Sequence, residues 1–108
     1  MVVTGLGIVS PLGSDVRSFW DHLVAGECGV EKITSFDASS FDTQIAAQVK
    51  NFNPAAAFPS PKEIRRTDRY TQFGVYAGWE ALRDSGLELD RVNLDEVGVF
   101  IGSILATD

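Results

Sequence analysis

Apolar side chains follow patterns along the chain that predict strands near both of its ends. Residues 2–7 form a β-branched apolar run that is broken by glycines, which is typical of a short buried strand. Residues 96–103, "EVGVFIGS", form a nearly continuous apolar run, as in a strand covered on both faces of a parallel sheet. Residues 43–49, "TQIAAQV", alternate their side chains and predict a further strand.

The first predicted helix follows a turn at "SPLG", residues 10–13. Apolar residues recur at positions 16, 19, 20, 23 and 24, so that one stripe of this helix faces a core. Ser14 or Asp15 can accept a backbone N–H at its start, and Gly26 can end it in the left-handed conformation. His22 lies one position off the apolar stripe, which indicates a solvated surface histidine.

A second helical segment begins at "SPKE", residues 60–63, where Ser60 can cap, Pro61 takes the first helical position and Glu63 can complete a capping box. A helix or a pair of stacked helical turns follows and ends at Gly86. Two glycines inside a helix cost about 1 kcal/mol each relative to alanine, so we expect close packing as compensation. The face in question carries mostly small side chains: Tyr70, Phe73, Gly74, Ala77, Gly78 and Ala81.

The order strand, helix, helix, strand predicts an α/β layered architecture with right-handed crossovers. Residues 27–59 show little periodicity, and irregular segments of this length are uncommon in a compact domain unless they are functional or pack on something else. A core strand close to the last residue leaves a parallel sheet of few strands with exposed apolar faces. We therefore expect the chain to be part of a larger body.

Composition and charge exclude several classes of partner. The 108 residues are 44% hydrophobic, enough for one domain with a core, and their net charge of −6 repels nucleic acids and anionic lipid surfaces. Cys28 is the single cysteine and His22 the single histidine, so we expect neither an internal disulfide nor a Cys/His metal site. The sequence has no apolar stretch of membrane-span length and no signal peptide, which favours a cytoplasmic protein.

The glycines near the start raise the alternative of a small nucleotide-binding α/β domain. Gly5 and Gly7 match the first two glycines of a dinucleotide fingerprint, but Ser10 replaces the third. Pro11 also removes an N–H that a phosphate would need. The spacing therefore favours a tight turn over a phosphate-binding loop.

Cys28 is the obvious candidate nucleophile. It follows the C-terminus of the first predicted helix and lies next to Glu27, and both features disfavour a thiolate. We therefore expect Cys28 to be a passive small residue.

Lys62, Arg65, Arg66 and Arg69 form a cationic cluster in an otherwise acidic chain. Such a cluster is either a solvated helix face, paired with Glu63 and Asp68, or a docking patch for an acidic protein.

Several segments together resemble the N-terminal part of a β-ketoacyl-[acyl-carrier-protein] synthase, closest to the type II elongating enzymes of fatty acid synthesis. They are "VVTGLGIVSPLG", "FWDHLVAGECGV", "FD", "KNFNP", "KEIRRTDRYTQFGVYAGWEALRDSGL" and "VGVFIGS", and they occur in order across essentially the whole chain. The resemblance implies a thiolase-like α-β-α-β-α layered fold, of which residues 1–108 are an incomplete N-terminal part of the first domain. In this family the opening glycines form the tight turn that leaves the first strand.

The same resemblance implies an acyltransferase that takes no cofactor and acts as a homodimer. A cysteine thiolate accepts an acyl group from acyl carrier protein, malonyl carrier protein loses carbon dioxide, and the resulting carbanion attacks the thioester. The catalytic groups of the family lie beyond Asp108, so we expect none in this chain. A type II polyketide ketosynthase or chain-length-factor subunit is the alternative reading.

Two sets of site residues follow from the resemblance. Lys62, Arg65 and Arg66 match basic positions that contact the acidic carrier protein, whereas Arg69 has no basic counterpart and is only a possible addition. Leu105 falls where an apolar side chain gates the acyl pocket, and Ile104 replaces a small residue of the family pattern "GSGIGG". This departure is also compatible with polyketide-type synthases.

Overall fold

The computed structural model describes residues 1–104, and Leu105 to Asp108 are outside the described residues. The chain divides into two compact units, one of residues 8–53 and one that joins residues 1–7 to the chain from Pro54 onward. Three α-helices and two strands are described: α1 (Val16–Val24), β1 (Val30–Lys32), β2 (Ile45–Ala47), α2 (Pro61–Arg65) and α3 (Arg69–Ser85). Short 3₁₀ helices span Pro54–Ala57, Leu89–Arg91 and Leu94–Glu96. None of the helices in residues 1–104 is long and apolar enough to cross a bilayer.

Local signals fix both ends of α1, as the sequence predicts. Asp15, rather than Ser14, is the N-cap, and its Oδ1 accepts from the Ser18 backbone N–H at 2.8 Å. At the other end Gly26 adopts a φ of 78°, which glycine tolerates without a Cβ clash. The Gly26 N–H donates to the Leu23 carbonyl and the Glu27 N–H to the His22 carbonyl, which together form a Schellman motif.

The Asp15 cap makes the stability of α1 depend on pH. The backbone N–H and then the hydroxyl of Ser18 hold the pKa of the Asp15 carboxyl below its ordinary value of 3.8. Because the pKa is lower in the folded than in the unfolded state, the cap stabilises the fold above pH 3.8 and loses this effect as the pH falls further.

Replacing Asp15 with alanine is therefore expected to lower the free energy of unfolding by about 1 kcal/mol near neutral pH. Chemical denaturation near pH 7 and again near pH 3 should show a smaller loss at the lower pH, because the contribution of the cap declines once the pH falls below 3.8. The Asp15→Asn variant caps without titrating and should hold its stability at the lower pH better than the wild type does. An equal cost of Asp15→Ala at both pH values would contradict this assignment.

The segment after α1 forms a short antiparallel hairpin, so the predicted strand at residues 43–49 is confirmed at its centre. β1 pairs with β2 in the register Val30↔Ala47, Glu31↔Ala46 and Lys32↔Ile45. The Gln48 carboxamide oxygen accepts from the backbone N–H groups of Thr34 and Ser35 and closes the loop between the strands. That loop contains Ala38, the only hydrophobic residue of residues 1–104 that is buried.

The second unit is built on α2 and α3. Ser60 caps α2, and its Oγ accepts from the Glu63 N–H at 3.4 Å, while Pro61 occupies the first turn as predicted. α3 ends where the sequence predicts, with Gly86 in the left-handed conformation at a φ of 70°. The chain changes direction between the two helices at Thr67 and Asp68. The predicted helical segment is thus two helices, and we call the junction between them the α2–α3 corner.

Gly5 and Gly7 lie directly against the backbone of α3. A Cβ on Gly7 would overlap the Ala77 carbonyl oxygen and lie 2.9 Å from Ala81 N, and a Cβ on Gly5 would overlap the Ala81 carbonyl. The Leu6 N–H also donates to Asp84 Oδ2 at 3.0 Å. The close packing expected for α3 is thus present, but the glycines that allow it belong to the N-terminal segment.

Two predictions about glycines are wrong: that the glycines of α3 mediate its close packing, and that Gly5 and Gly7 form a tight turn. A Cβ added to Gly74 or Gly78 of α3 would meet no neighbouring atom of the described residues within 4 Å, so these two glycines do not mediate the close approach. Gly5 and Gly7 do not have positive φ angles, so they are required by proximity to α3 and not by a tight turn. The predicted turn at residues 10–13 is present, closed by mutual backbone hydrogen bonds between Ser10 and Gly13.

The predicted terminal strands are not observed in the described residues. The residues 2–7 and 97–103 lie outside any strand, and the sheet that is described is antiparallel rather than parallel. Both runs are exposed, with accessible fractions of 77% for Val3 and 96% for Phe100. A strand is defined by hydrogen bonds to a neighbour, so an apolar run without a neighbouring strand remains unassigned whatever its propensity.

Candidate functional site

The candidate site is a group of three exposed cations on α2. Lys62 and Arg65 lie within this helix, and Arg66 is its C-cap residue. We call Lys62, Arg65 and Arg66 the α2 cations. All three residues are exposed, and 63% of the Arg66 side chain is accessible to solvent. Long, fully charged side chains in this setting can bind the carboxylates of a partner, but they supply no nucleophile.

Neighbouring carboxylates neutralise the α2 cations only in part. Glu63 Oε1 lies 3.9 Å from Arg66 Nη1, and an exposed ion pair of this length is weak. Residues 60–69 carry four cations and two carboxylates, whereas residues 84–96 of the same unit carry five carboxylates and one cation. The α2 corner is therefore a positive region in an acidic chain, which favours the docking interpretation over a simple paired face.

The Gln72 side chain holds the corner between α2 and α3. Its Nε2 lies 3.2 Å from the Ile64 carbonyl oxygen, 3.2 Å from the Thr67 carbonyl oxygen and 3.3 Å from Thr67 Oγ1. Thr67 Oγ1 in turn donates to the Ile64 carbonyl at 2.8 Å. Gln72, in the first turn of α3, thus bonds to the Ile64 carbonyl of α2, which also accepts from the Thr67 N–H, and to the Thr67 carbonyl just beyond α2.

Sequence reasoning missed Gln72. It lies outside the apolar face of α3 and belongs to no motif, so neither periodicity nor spacing distinguishes it from other polar helix residues. The available signal is the Thr67–Asp68 break, because a helix that ends in front of another helix leaves carbonyls that need a donor.

The single cysteine and the single histidine lie at one place on the surface. Both residues line an open depression of ≈ 210 Å³ together with Glu27 and Lys50. His22 Nδ1 faces the Leu12 carbonyl oxygen at 2.5 Å, and Nε2 lies 3.6 Å from Glu27 Oε2. The predicted surface position of His22 is confirmed, but both ring nitrogens face acceptors of the chain and not solvent alone. Cys28 is exposed beyond the C-terminus of α1.

The opening glycines do not form a phosphate site. The space beside Gly5 and Gly7 is filled by the Ala77 and Ala81 carbonyl groups, whose oxygens would repel an anion. α1 begins only at Val16, so its N-terminal N–H groups do not follow these glycines as a dinucleotide fingerprint requires. The nucleotide-binding alternative is thus not supported by this geometry.

The described structure does not test the predicted acyl-pocket residue. Leu105, the predicted acyl-pocket residue, lies outside the described residues. Ile104 is described and is 99% exposed. Within residues 1–104, no group of three His, Cys, Asp or Glu side chains is arranged to hold a metal ion.

Comparison with known proteins identifies relatives over nearly the whole chain. The family model described as "Beta-ketoacyl synthase, N-terminal domain" matches residues 1–108. The 3-oxoacyl-[acyl-carrier-protein] synthase 2 of Coxiella burnetii is 52% identical over 103 residues, which cover 95% of this chain and 25% of that protein. The enzymes of the same name from Vibrio cholerae and Staphylococcus aureus are 44% and 39% identical over the same length. The chain thus spans about a quarter of the length of these relatives.

A solved structure of similar fold is the ishigamide ketosynthase/chain length factor. It superposes with a TM-score of 0.72 at 33% sequence identity and covers 82% of this chain and 22% of that chain. The similarity to ketosynthases therefore holds for backbone geometry as well as for sequence.

Proposed function

The chain belongs to the family of β-ketoacyl synthase N-terminal domains, and we propose that it is the carrier-docking part of a ketosynthase that elongates fatty acids. In this proposal the full-length protein is a homodimer that acts in the cytoplasm. The fold is the thiolase-like fold of ketosynthases. The observation that carries the proposal is the exposed set of α2 cations in a chain 52% identical to a 3-oxoacyl-[acyl-carrier-protein] synthase 2.

The proposed reaction is a decarboxylative Claisen condensation. An enzyme thiolate takes the acyl group from its carrier and releases the carrier thiol, and malonyl carrier protein loses carbon dioxide to form a carbanion. The carbanion attacks the acyl thioester and displaces the enzyme thiolate, which leaves a 3-oxoacyl carrier protein. Cys28 does not suit the role of the nucleophile, because it is exposed and follows the carbonyl end of α1 instead of an N-terminus. We therefore assign the condensation chemistry to residues outside these 108.

The α2 cations would contribute by binding the carrier protein. A carrier rich in carboxylates is attracted to a positive region, and the attraction both speeds encounter and selects the partner. The Gln72 contacts fix the α2–α3 corner before binding, which reduces the entropy that docking must overcome.

A polyketide ketosynthase or chain-length-factor subunit is the second candidate. The structural likeness to the ishigamide ketosynthase/chain length factor favours it, as does Ile104 in place of a small residue. The sequence identity of 33% with that protein, against 52% with the Coxiella enzyme, makes the fatty acid enzyme the better supported of the two.

A condensation assay with the full-length protein tests the proposal. Acyl carrier protein and malonyl carrier protein are incubated with it, and mass spectrometry is used to detect the 3-oxoacyl carrier product. We expect product from the full-length protein alone and none from the 108-residue polypeptide. Product that forms only when a second ketosynthase-like subunit is added would favour the polyketide candidate, and absence of product under both conditions would contradict the proposal.

A further inference from the structure

Arg69 lies next to the α2 cations but on the other helix of the corner. It is the first residue of α3 and is exposed. Its guanidinium carbon lies 5.2 Å from the centre of the Phe73 ring, one helical turn further along. A guanidinium carries several N–H donors, so an exposed arginine beside an aromatic ring can still donate to a carboxylate.

Arg69 is three residues after Arg66, on the other side of the Thr67–Asp68 turn. The spacing of one helix face applies to Lys62, Arg65 and Arg66 but not to Arg69, because α2 ends at Arg65 and α3 starts at Arg69. Because Gln72 bonds to Ile64 and Thr67 across this break, the start of α3 is fixed relative to the end of α2. A partner that contacts Arg65 and Arg66 therefore meets Arg69 in a defined position.

We propose that Arg69 is a fourth docking cation, which donates from α3 to a carboxylate on the acidic carrier protein. This inference rests on the proposed function, since it assumes that the α2 cations receive the carrier. It adds a second helix to the docking surface and explains why the α2–α3 corner is pinned. Glu63, whose Oε1 lies 3.9 Å from Arg66 Nη1, is the carboxylate that competes with the carrier for this cation.

Arg83 provides a matched control on the same helix. Its guanidinium carbon lies 4.6 Å from the Trp79 ring centre, so it is also an exposed arginine stacked on an aromatic side chain one turn away. It lies in the last turn of α3, next to the acidic residues 84–96. Loss of Arg83 removes the same charge and the same kind of stacking without touching the corner.

The test is a titration of the full-length protein with carrier protein at low and moderate ionic strength. We expect Arg69→Ala to weaken binding by about fivefold at low salt, the scale of one exposed charge pair, and by less at higher salt. Arg69→Lys should retain most of the affinity, and Arg83→Ala should stay within about twofold of the wild type. Circular dichroism of each variant checks that α3 is intact.

The outcomes distinguish a failure of the Arg69 inference from a failure of the proposed docking function. An unchanged affinity of Arg69→Ala, with a large loss in a variant of the α2 cations, overturns the role of Arg69 and leaves the proposed docking site standing. Equal losses in Arg69→Ala and Arg83→Ala also overturn it, because they indicate a general effect of net charge. If neither Arg69 nor the α2 cations affect binding, the proposed docking function fails as well. If Arg69→Ala misfolds, a charge swap takes its place: Arg69→Glu is combined with a carrier in which a carboxylate is replaced by lysine. This pair must bind more tightly than Arg69→Glu binds the unchanged carrier.

Discussion

Replacing Lys62, Arg65 and Arg66 together with glutamate is expected to weaken carrier binding by the full-length protein about a hundredfold at low ionic strength. Three favourable charge pairs are lost, and three carboxylates then face the carboxylates of the carrier. Each change is modest for exposed groups, but three charge reversals on one short helix together cost more affinity than any single one. Surface plasmon resonance or calorimetry with purified carrier measures the dissociation constant.

The matched control reverses three exposed arginines elsewhere in the chain, Arg17, Arg83 and Arg91. This control changes the net charge by the same amount and leaves the α2 corner intact. We expect only a small loss of affinity in the control, because in this proposal the three control arginines do not contact the carrier and Coulomb repulsion weakens with distance. A loss as large as that of the α2 variant would show that net charge, and not a docking surface, governs binding.

Gly7→Ala is expected to lower the free energy of unfolding by about 3 kcal/mol or more, the upper range for an overpacked site. The new Cβ would overlap the Ala77 carbonyl and lie 2.9 Å from Ala81 N, and these are backbone atoms of α3 that cannot rotate away. Denaturant titration of the full-length protein measures the loss.

Gly86→Ala serves as the control for this substitution. Gly86 has a φ of 70°, and a Cβ there would meet no atom of the described residues within 4 Å, so alanine introduces backbone strain without a steric clash. We expect a cost of about 1 kcal/mol. A Gly7→Ala variant no less stable than Gly86→Ala would contradict the close approach of the N-terminal segment to α3.

The helices of this chain are predictable because their boundaries depend on nearby residues. Asp15, Ser60 and Gly86 each act within four residues of the helix end that they cap. The stripe of apolar residues in α1 and the "SPLG" turn are equally local. These features could be assigned from sequence without knowledge of the tertiary structure.

The strands were harder to predict because a strand requires a partner that local sequence does not identify. Residues 2–7 and 96–103 have strand-like composition, but the described residues provide no pairing partner for them. Conversely, β1 is the short segment Val30–Lys32, whose alternation is too brief to stand out, and it forms because β2 pairs with it.

The candidate site was predictable in its charges but not in its geometry. The spacing of Lys62, Arg65 and Arg66 indicated a cationic face from sequence alone. The break at Thr67–Asp68, which puts Arg69 on a second helix, and the bridge from Gln72 depend on contacts across the corner. For the same reason the sequence does not reveal the role of Gly5 and Gly7, which depends on their contact with the backbone of α3.

Photo-crosslinking tests the central claim, docking of a carrier protein at the α2–α3 corner, most directly. A photoreactive residue replaces Glu63 in the full-length protein, and in a second variant it replaces Glu88. Both glutamates are exposed and pair with an arginine three positions later, Arg66 and Arg91, so the two probes differ mainly in location. The account predicts a crosslink to the carrier protein from position 63 and none from position 88. A crosslink from position 88 alone, or equal crosslinking from both, would contradict it.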